Sequence, residues 1–295
     1  MSSTVFSIIA GNPNVGKSTL LNRLVGSRIA ITSHKPQTTR TRITGILTEF
    51  ETQYVFIDTP GFHAPRNKLD ERMQRTISEA IADVDAALLL VPPKESLNET
   101  ELELMREING AKIPLILVMN KADTVSSANQ RDFYLESLAR QGSFSAVLAV
   151  SALKGEGIEE LKTLLAGYAV EGPFLFDEDA LTDVPEKTIA AEIIRENLLK
   201  FLSDELPHGT AVVIERFSER AKKEIVDIEA TIFCEKQSHK GMIIGKDGAM
   251  LKRIATGARI GIERFSGCRV NLKCWVKVRE NWRNDERHIR EIGNA

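Results

Sequence analysis

Eight residues near the start of the chain, Gly11-Asn12-Pro13-Asn14-Val15-Gly16-Lys17-Ser18, have the types and spacing of a phosphate cradle. They fit G-x-x-x-x-G-K-[ST] and lie between an apolar run of strand length, Val5 to Ala10, and a helical pattern, Thr19 to Val25, the context this motif requires. The glycines let backbone N–H groups turn inward around phosphate oxygens. The N-terminus of the helix, which Thr19 opens, adds its positive end, and Lys17 reaches the β- and γ-phosphates. The Ser18 hydroxyl is a ligand of the kind Mg²⁺ takes. A purely structural glycine turn would account for Gly11 and Gly16 but not for the Lys17-Ser18 pair.

Three further segments give the cradle a base and a sensor. Asn120-Lys121-Ala122-Asp123 follows the apolar strand Leu115 to Met119. A carboxylate at Asp123 accepts hydrogen bonds from guanine N1–H and the exocyclic N2 amine. Adenine has a lone pair at N1 and no amine at C2, so it would leave the carboxylate facing a lone pair. Ser151-Ala152-Leu153 follows the run Ala146 to Val150 and offers a backbone N–H to the base. Asp58-Thr59-Pro60-Gly61 ends another strand. Asp58 is expected to hold Mg²⁺ through water, and the Gly61 N–H to turn toward a γ-phosphate, which makes the loop after it a nucleotide sensor. The polar stretch Lys35-Pro36-Gln37-Thr38-Thr39-Arg40-Thr41-Arg42 offers a threonine to complete the metal shell, Thr39 in preference to Thr38. N-K-x-D alone is a weak signal. Four segments in this order, each at a strand end, are a strong one.

With these motifs, and with Gln37-Thr38-Thr39-Arg40 and Asp58-Thr59-Pro60-Gly61 in their particular spacing, the chain resembles the Era-like GTPases, translation-factor-like enzymes of the TrmE-Era-EngA-like superfamily. The resemblance covers the whole chain. It implies GTP and GDP as ligands, Mg²⁺ as cofactor and hydrolysis of GTP. One position departs from the general small-GTPase pattern: Phe62 stands where those enzymes carry a water-orienting glutamine, and Era-like GTPases are similar in having an apolar residue there. Help for catalysis must then come from backbone, ions or a partner, and slow intrinsic turnover is expected. Lys17, Thr39 and Gly61 are the candidate catalytic groups. Asn14 joins them because related GTPases with Pro-Asn before Val-Gly-Lys use that asparagine to ligate K⁺. His63 reads as a surface histidine of a mobile loop rather than a base.

A second glycine loop, Gly245-Lys246-Asp247-Gly248, would mean little in isolation. Its setting is informative: Ile243 and Ile244 precede it, a helical pattern follows it, and strand patterns flank the pair. This is the layout of a KH domain, whose G-x-x-G loop clamps about four nucleotides of single-stranded backbone. Lys246, Lys252 and Arg253 add charge. Ile243, Ile244 and the strand residues Ile228, Ala230 and Ile232 are the expected apolar groove for bases. Two strands before the loop resemble the bacterial type of KH fold. The resemblance further implies the 3′ end of 16S rRNA as target, maturation of the 30S subunit as setting, and peripheral association with the cytoplasmic face of the inner membrane. DNA is not expected as a ligand, and a monomer is expected. Trp275, on the last strand with Asn271, Lys273 and Lys277, either stacks a base or covers a helix edge.

The elements that must carry these residues follow from hydrophobic spacing. Short apolar runs alternate with helical patterns at Leu69 to Ile81, Glu99 to Ile108, Gln130 to Arg140 and Ile158 to Tyr168. That alternation predicts a mostly parallel sheet covered by helices on both faces, with Ile43 to Phe50 as an antiparallel edge. Proline, glycine and clustered acids then break the pattern. A helix over Thr188 to Leu206, two strands, helices and a final strand predict a compact α+β unit. The expected division is a P-loop GTPase domain at 1–170, a linker at 171–186 that serves as hinge, a type II KH domain at 187–284 and a solvated tail at 285–295.

Composition agrees. The chain has 295 residues, is 42% hydrophobic and 27% charged, and carries a net charge of −2, as soluble two-domain proteins do. Between Lys240 and Arg283 eleven basic residues face three acidic ones, a surplus of 8 positive charges on a body that is negative elsewhere, which marks a local polyanion site. No apolar run is long enough to span a bilayer, Met1 to Ile9 does not read as a secretory signal, and three cysteines without metal spacing suit a reducing cytoplasm. Two other readings compete: a passive RNA-binding adaptor that holds nucleotide for structure, and an ATP-dependent kinase built on the same phosphate loop.

Overall fold

The computed structural model describes all residues except 34, 36, 37, 204, 205, 221–223, 294 and 295. Gln37 of the Gln37–Arg40 motif therefore lies outside the described residues. The chain divides into two compact units. The first comprises 1–30, 39–65 and 70–183; the second comprises 31–38, 66–69 and 184–295.

The first unit runs β1 (Ser3–Gly11), α1 (Lys17–Val25), β2 (Ile43–Glu49), β3 (Thr52–Asp58), α2 (Lys68–Ala82, of which Lys68 and Leu69 count with the second unit), β4 (Ala86–Val91), α3 (Glu99–Gly110), β5 (Leu115–Met119), α4 (Ala128–Ala139), β6 (Ala146–Ala149), α5 (Ile158–Ala166) and β7 (Val170–Glu171). The sheet order is β2-β3-β1-β4-β5-β6, with β7 paired to β1. β1 pairs parallel with β3 and β4, and β4–β5–β6 continue parallel, while β2 lies antiparallel on β3 as the expected edge. Strands buried on both faces need apolar side chains at every position. β4 and β5, Ala86 to Val91 and Leu115 to Met119, are buried throughout for that reason. Parallel order places the C-terminal ends of β1, β3 and β5 along one edge, and there Gly11, Asp58 and Asn120 begin their loops.

The expected linker is not free along its length. The Gly172 N–H donates to the Ser2 carbonyl, the N–H groups of Leu175 and Phe176 to Gln53 Oε1, and Thr182 Oγ1 to the Thr44 carbonyl. The first unit accordingly extends to Asp183, past the boundary expected at 170.

The second unit runs α6 (Glu186–Phe201), β8 (Ala211–Glu219), β9 (Ile225–Cys234), α7 (Gln237–Ile244), α8 (Ala249–Ser266), β10 (Arg269–Val278) and α9 (Glu286–Gly293). The α6 helix stops at Phe201, short of the expected Leu206. The sheet order is β10-β9-β8, with β9–β8 antiparallel and β10–β9 parallel. One apolar face, with Ile228, Ala230, Ile232, Val270 and Val276, packs under α6 and α8. The other face is partly covered. Trp282 is fully buried and its indole N–H donates to the Gly209 carbonyl at 3.0 Å, Ile289 of α9 is buried, and the Arg279 guanidinium lies 3.9 Å from the Phe233 ring centre. The expected solvated tail is thus a helix with a packed residue. Trp275 stays 44% exposed on the face away from α6 and α8, so it does not cover the edge of either.

Segment 31–38 belongs with the second unit for visible reasons. Ile31 is buried in that unit's core, the Thr32 N–H donates to Glu196 Oε1 at 3.2 Å, and Arg195 of α6 donates to the Thr38 carbonyl.

Candidate functional site: a guanine nucleotide cradle and a basic glycine loop

The first cradle is dense. Lys17 is buried, and its Nζ donates to the carbonyls of Gly11 and Asn12, both at 3.0 Å. Gly16 has φ +99°, and a Cβ there would lie 2.4 Å from Asn120 Nδ2, so no other residue lets the loop close on β5. Asn120 spans the gap, donating to the Val15 carbonyl at 2.8 Å and accepting from the Ala152 N–H at 3.1 Å. Lys121 Nζ donates to the Asn14 carbonyl at 2.6 Å, and Ser151 Oγ to Asp123 Oδ1 at 2.5 Å. Three segments distant in sequence are thereby tied into one pocket rim, with Leu153 exposed beside it. Thr59 and Pro60 are buried behind the loop, where Thr59 Oγ1 donates to the Ile9 carbonyl at 3.0 Å. Gly61 approaches Pro13 so closely that a Cβ would lie 2.8 Å from its ring.

A second cluster of oxygens sits at the phosphate end. Ser18 Oγ donates to Asp58 Oδ2 at 2.7 Å and lies 2.9 Å from Thr39 Oγ1, which is 3.3 Å from the same carboxylate oxygen. Thr38 instead donates to the Lys35 carbonyl at 2.6 Å. Thr39, and not Thr38, is thus the threonine whose hydroxyl lies beside Ser18 and Asp58. Asp58 is fully buried, and its Oδ1 has no hydrogen-bond partner. Two hydroxyls and one carboxylate with an orphaned oxygen are a donor set that fits Mg²⁺, which takes oxygen ligands and shares them with phosphate. Burial drives both charged groups toward neutrality: Asp58 is raised to about 6 and Lys17 lowered to about 8, each opposed by attraction to the other. A cation beside the one and phosphate beside the other would reverse both shifts.

Two residues join the cradle that its motifs do not contain. Glu101, buried at the start of α3, accepts from Asn12 Nδ2 at 3.1 Å while completing a capping box with Asn98. The Asn98-x-x-Glu101 spacing is a readable helix-start signal, though it does not point to the cradle. Arg23 of α1 donates to the carbonyls of Ala152 and Leu153. Asn14 is exposed with φ +66° at the outer turn of the loop. His63 is half-buried, its Nδ1 3.0 Å from the Ala64 carbonyl.

The second loop is open. Gly245 (φ +73°) and Gly248 (φ +77°) bracket Lys246 and Asp247, both exposed, and the turn feeds directly into the N-terminus of α8. Gly245 must be glycine, because a Cβ would lie 2.7 Å from that of Met250. Lys252 is exposed, and Arg253 lies with its guanidinium 4.4 Å over the Phe201 ring. The expected base groove needs correction. Ile228, Ala230, Ile232 and Ile243 are completely buried in the core under the helices, where no base can touch them. Ile244 is half-buried against the same core. Beside the loop the exposed apolar side chain is Met242, on the outward side of α7.

Comparisons with known proteins reach both units. A family model described as a 50S ribosome-binding GTPase matches residues 6–121, and one for the KH domain matches 205–283. The GTPase Era of Clostridioides difficile (strain 630) is 45% identical over 288 residues, covering 98% of this chain and 97% of that protein. The chain belongs to the Era GTPase family. The GTPase Era of Caldanaerobacter subterraneus subsp. tengcongensis is 46% identical over 290 residues, with 98% and 97% covered. Among solved structures, an Aquifex aeolicus Era variant bound to GDP·AlF4⁻ matches with a TM-score of 0.95 at 33% identity over 99% of each chain. Era in complex with MgGDPNP and nucleotides 1506–1542 of 16S ribosomal RNA matches with a TM-score of 0.94 at 33% identity over the whole of each chain. As an Era-family member this chain is a GTPase with a P-loop domain and a C-terminal KH domain. Among the described residues no helix is long and apolar enough to cross a membrane.

Proposed function

We propose that this chain is a slow GTP-hydrolysing switch whose KH unit binds the single-stranded 3′ end of 16S rRNA during assembly of the 30S subunit. The observation that carries the reading is the open Gly245–Gly248 turn at the head of α8. It sits in the basic part of a chain that aligns along its full length with an Era bound to that RNA. Phosphates of the strand meet the backbone N–H groups of the turn, and Lys246 and Lys252 supply the salt-sensitive part of the affinity.

In the nucleotide site, Asp123 reads the guanine N1–H and N2 amine, and the Ser151–Leu153 loop offers its backbone N–H to O6. Gly11 to Ser18 wrap the phosphates, Thr19 continuing the helix behind them, and Lys17 takes the β,γ-oxygens. Ser18, Thr39 and Asp58 would hold Mg²⁺. The ion, when bound, neutralises charge between the β- and γ-phosphates. Phe62 cannot orient water, so Lys17, the Gly61 N–H and the Asn14 carboxamide, the last as a ligand for K⁺, are the groups left to stabilise the transferring phosphoryl.

Coupling to RNA runs through the chain itself. Thr38, whose carbonyl is held by Arg195, is followed by Thr39, whose hydroxyl reaches Ser18 and Asp58. Loss of the third phosphate releases Thr39 and thereby a segment anchored on α6. A monomer acting in the cytoplasm, with peripheral attachment to the inner membrane, completes the proposal.

Fluorescence anisotropy with a short oligomer of the 16S rRNA 3′ terminus tests the reading. It should bind with an affinity that falls steeply with salt, at least ~10-fold tighter than a scrambled oligomer. Equal affinities would contradict the rRNA target, and absence of binding would contradict the KH reading.

A further inference from the structure

We infer that Arg23 is a positioning residue for base discrimination: it anchors the Ser151–Leu153 loop to α1 so that the Leu153 N–H faces guanine O6. The inference rests on the base reading proposed above. Arg23 lies in the last turn of α1, the helix that starts with Lys17. Its Nε donates to the Ala152 carbonyl at 3.0 Å and its Nη2 to the Leu153 carbonyl at 2.6 Å. The guanidinium fork suits two adjacent acceptors in a way that an ammonium does not. Residue 155 does not crowd the fork, since even a Cβ there would be 3.8 Å from Arg23 Nη1, an ordinary contact.

The loop's internal bonds set its shape but not its placement. The Ser151 N–H donates to the Glu156 carbonyl, the Gly155 N–H to the Ser151 carbonyl and the Lys154 N–H to Ser151 Oγ. Placement comes from outside, from Asn120 Oδ1 on the Ala152 N–H and from Arg23 on the carbonyls of Ala152 and Leu153. A peptide unit is planar and trans, so its C=O and N–H point in opposite directions. Holding the Ala152 carbonyl toward α1 therefore fixes the Leu153 N–H away from α1. Arg23 acts on the base end of the pocket. The phosphate end has its own anchor in Lys17, which bonds only within the phosphate loop, so the two ends can be separated by substitution.

The test compares GTP with 2-aminopurine riboside triphosphate, which keeps the N2 amine and the phosphates but lacks O6 and, with it, the N1 proton. The N1 loss weighs on the analogue equally in wild type and variants, so a change in the GTP-to-analogue ratio between them reports on O6. Affinities are measured by displacement of a fluorescent GDP analogue from the full chain. In Arg23→Ala, GTP affinity should fall about 10-fold, the order expected for losing charge-assisted hydrogen bonds, while analogue affinity changes less than about twofold. Arg23→Lys should recover part of the loss, since an ammonium can hold one carbonyl. A GTP-to-analogue ratio unchanged from the wild type in both variants would overturn the proposal. So would an equal fall for both ligands, which would place the effect at the phosphates. If the wild type itself shows no preference for GTP over the analogue, the base reading fails and carries this proposal with it. That result appears in the wild-type ratio and is thus distinct from failure at Arg23 alone.

Discussion

The molecule holds two glycine loops, each at the start of a helix, and they differ in what surrounds them. Around Gly11 to Ser18 every neighbour is close: Gly16 is pressed against Asn120, Gly61 against Pro13, and Lys17 and Asp58 are buried charges. Around Gly245 to Gly248 the charged residues are in solvent, and a Cβ on Gly248 would meet nothing within 4 Å. Enclosure suits a small ligand of fixed shape, because preorganised dipoles and buried charges act at full strength only where water is excluded. Openness suits a polymer whose backbone passes through and whose charge is met partly by solvent-exposed lysines. The same short motif chemistry is turned to two ends by packing.

That contrast can be broken by substitution. The largest expected effect is at Lys17. In Lys17→Ala, GTP turnover should fall by ~100-fold or more, the order lost when a preorganised charge at a reacting phosphate is removed, in a phosphate-release assay. Retained turnover would favour the passive-adaptor reading. Gly16→Ala comes next. It places a methyl 2.4 Å from the Asn120 amide at φ +99°, and overpacking plus a left-handed backbone should cost roughly 2–4 kcal/mol of stability or nucleotide affinity, measured by thermal melting with and without GDP. Addition of a Cβ at Gly248 should be tolerated far better in the fold, so unequal melting temperatures of Gly16→Ala and Gly248→Ala would sharpen the comparison and equal ones would undo it.

A smaller effect is expected from pH. In the ligand-free protein both buried groups are charged only between about 6, where Asp58 takes up a proton, and about 8, where Lys17 loses one. Binding of Mg²⁺ and GTP requires both charges, so affinity should fall by about tenfold per pH unit beyond either limit. For stability the sign at Asp58 is the reverse of an ordinary paired carboxylate. Its raised value means the folded chain holds a proton that the unfolded chain has lost between about 4 and 6, so this group's contribution declines as pH rises through that window. The smallest test concerns the K⁺ proposed at Asn14: replacing Na⁺ by K⁺ should raise turnover in the wild type and not in Asn14→Ala. Identical rates in the two salts would remove K⁺ from the account.

Much of this was legible in the sequence where one element decides the outcome. The run Val5 to Ala10, the glycine loop and the helix after it are local, and parallel strands fully buried on both faces announce themselves as uninterrupted apolar runs. Motifs at the ends of β1, β3 and β5 had to converge once the sheet was parallel. Alternation along β9 was also visible, but period two does not say which face meets the helices, and Ile228, Ala230 and Ile232 were assigned to RNA when they belong to the core. Thr231 and Phe233 are buried as well, because the C-terminal segment covers the other face of the sheet. The fixed path of 171–183 depends on hydrogen bonds such as those of Gln53, more than 120 residues away, and no local pattern marks them. Arg23 and Glu101 escaped for the same reason: their partners are backbone or side-chain atoms in other segments.

One measurement addresses the division of labour directly. GDP affinity and affinity for the rRNA oligomer are determined on the same preparations of wild type, Lys17→Ala and Gly248→Asp. In Gly248→Asp the oligomer should bind at least ~10-fold more weakly, as added negative charge meets phosphate, with GDP binding unchanged, and Lys17→Ala should lose nucleotide while nucleotide-free RNA binding persists. If Gly248→Asp lowers both affinities together, the two loops do not serve separate ligands and the account is wrong.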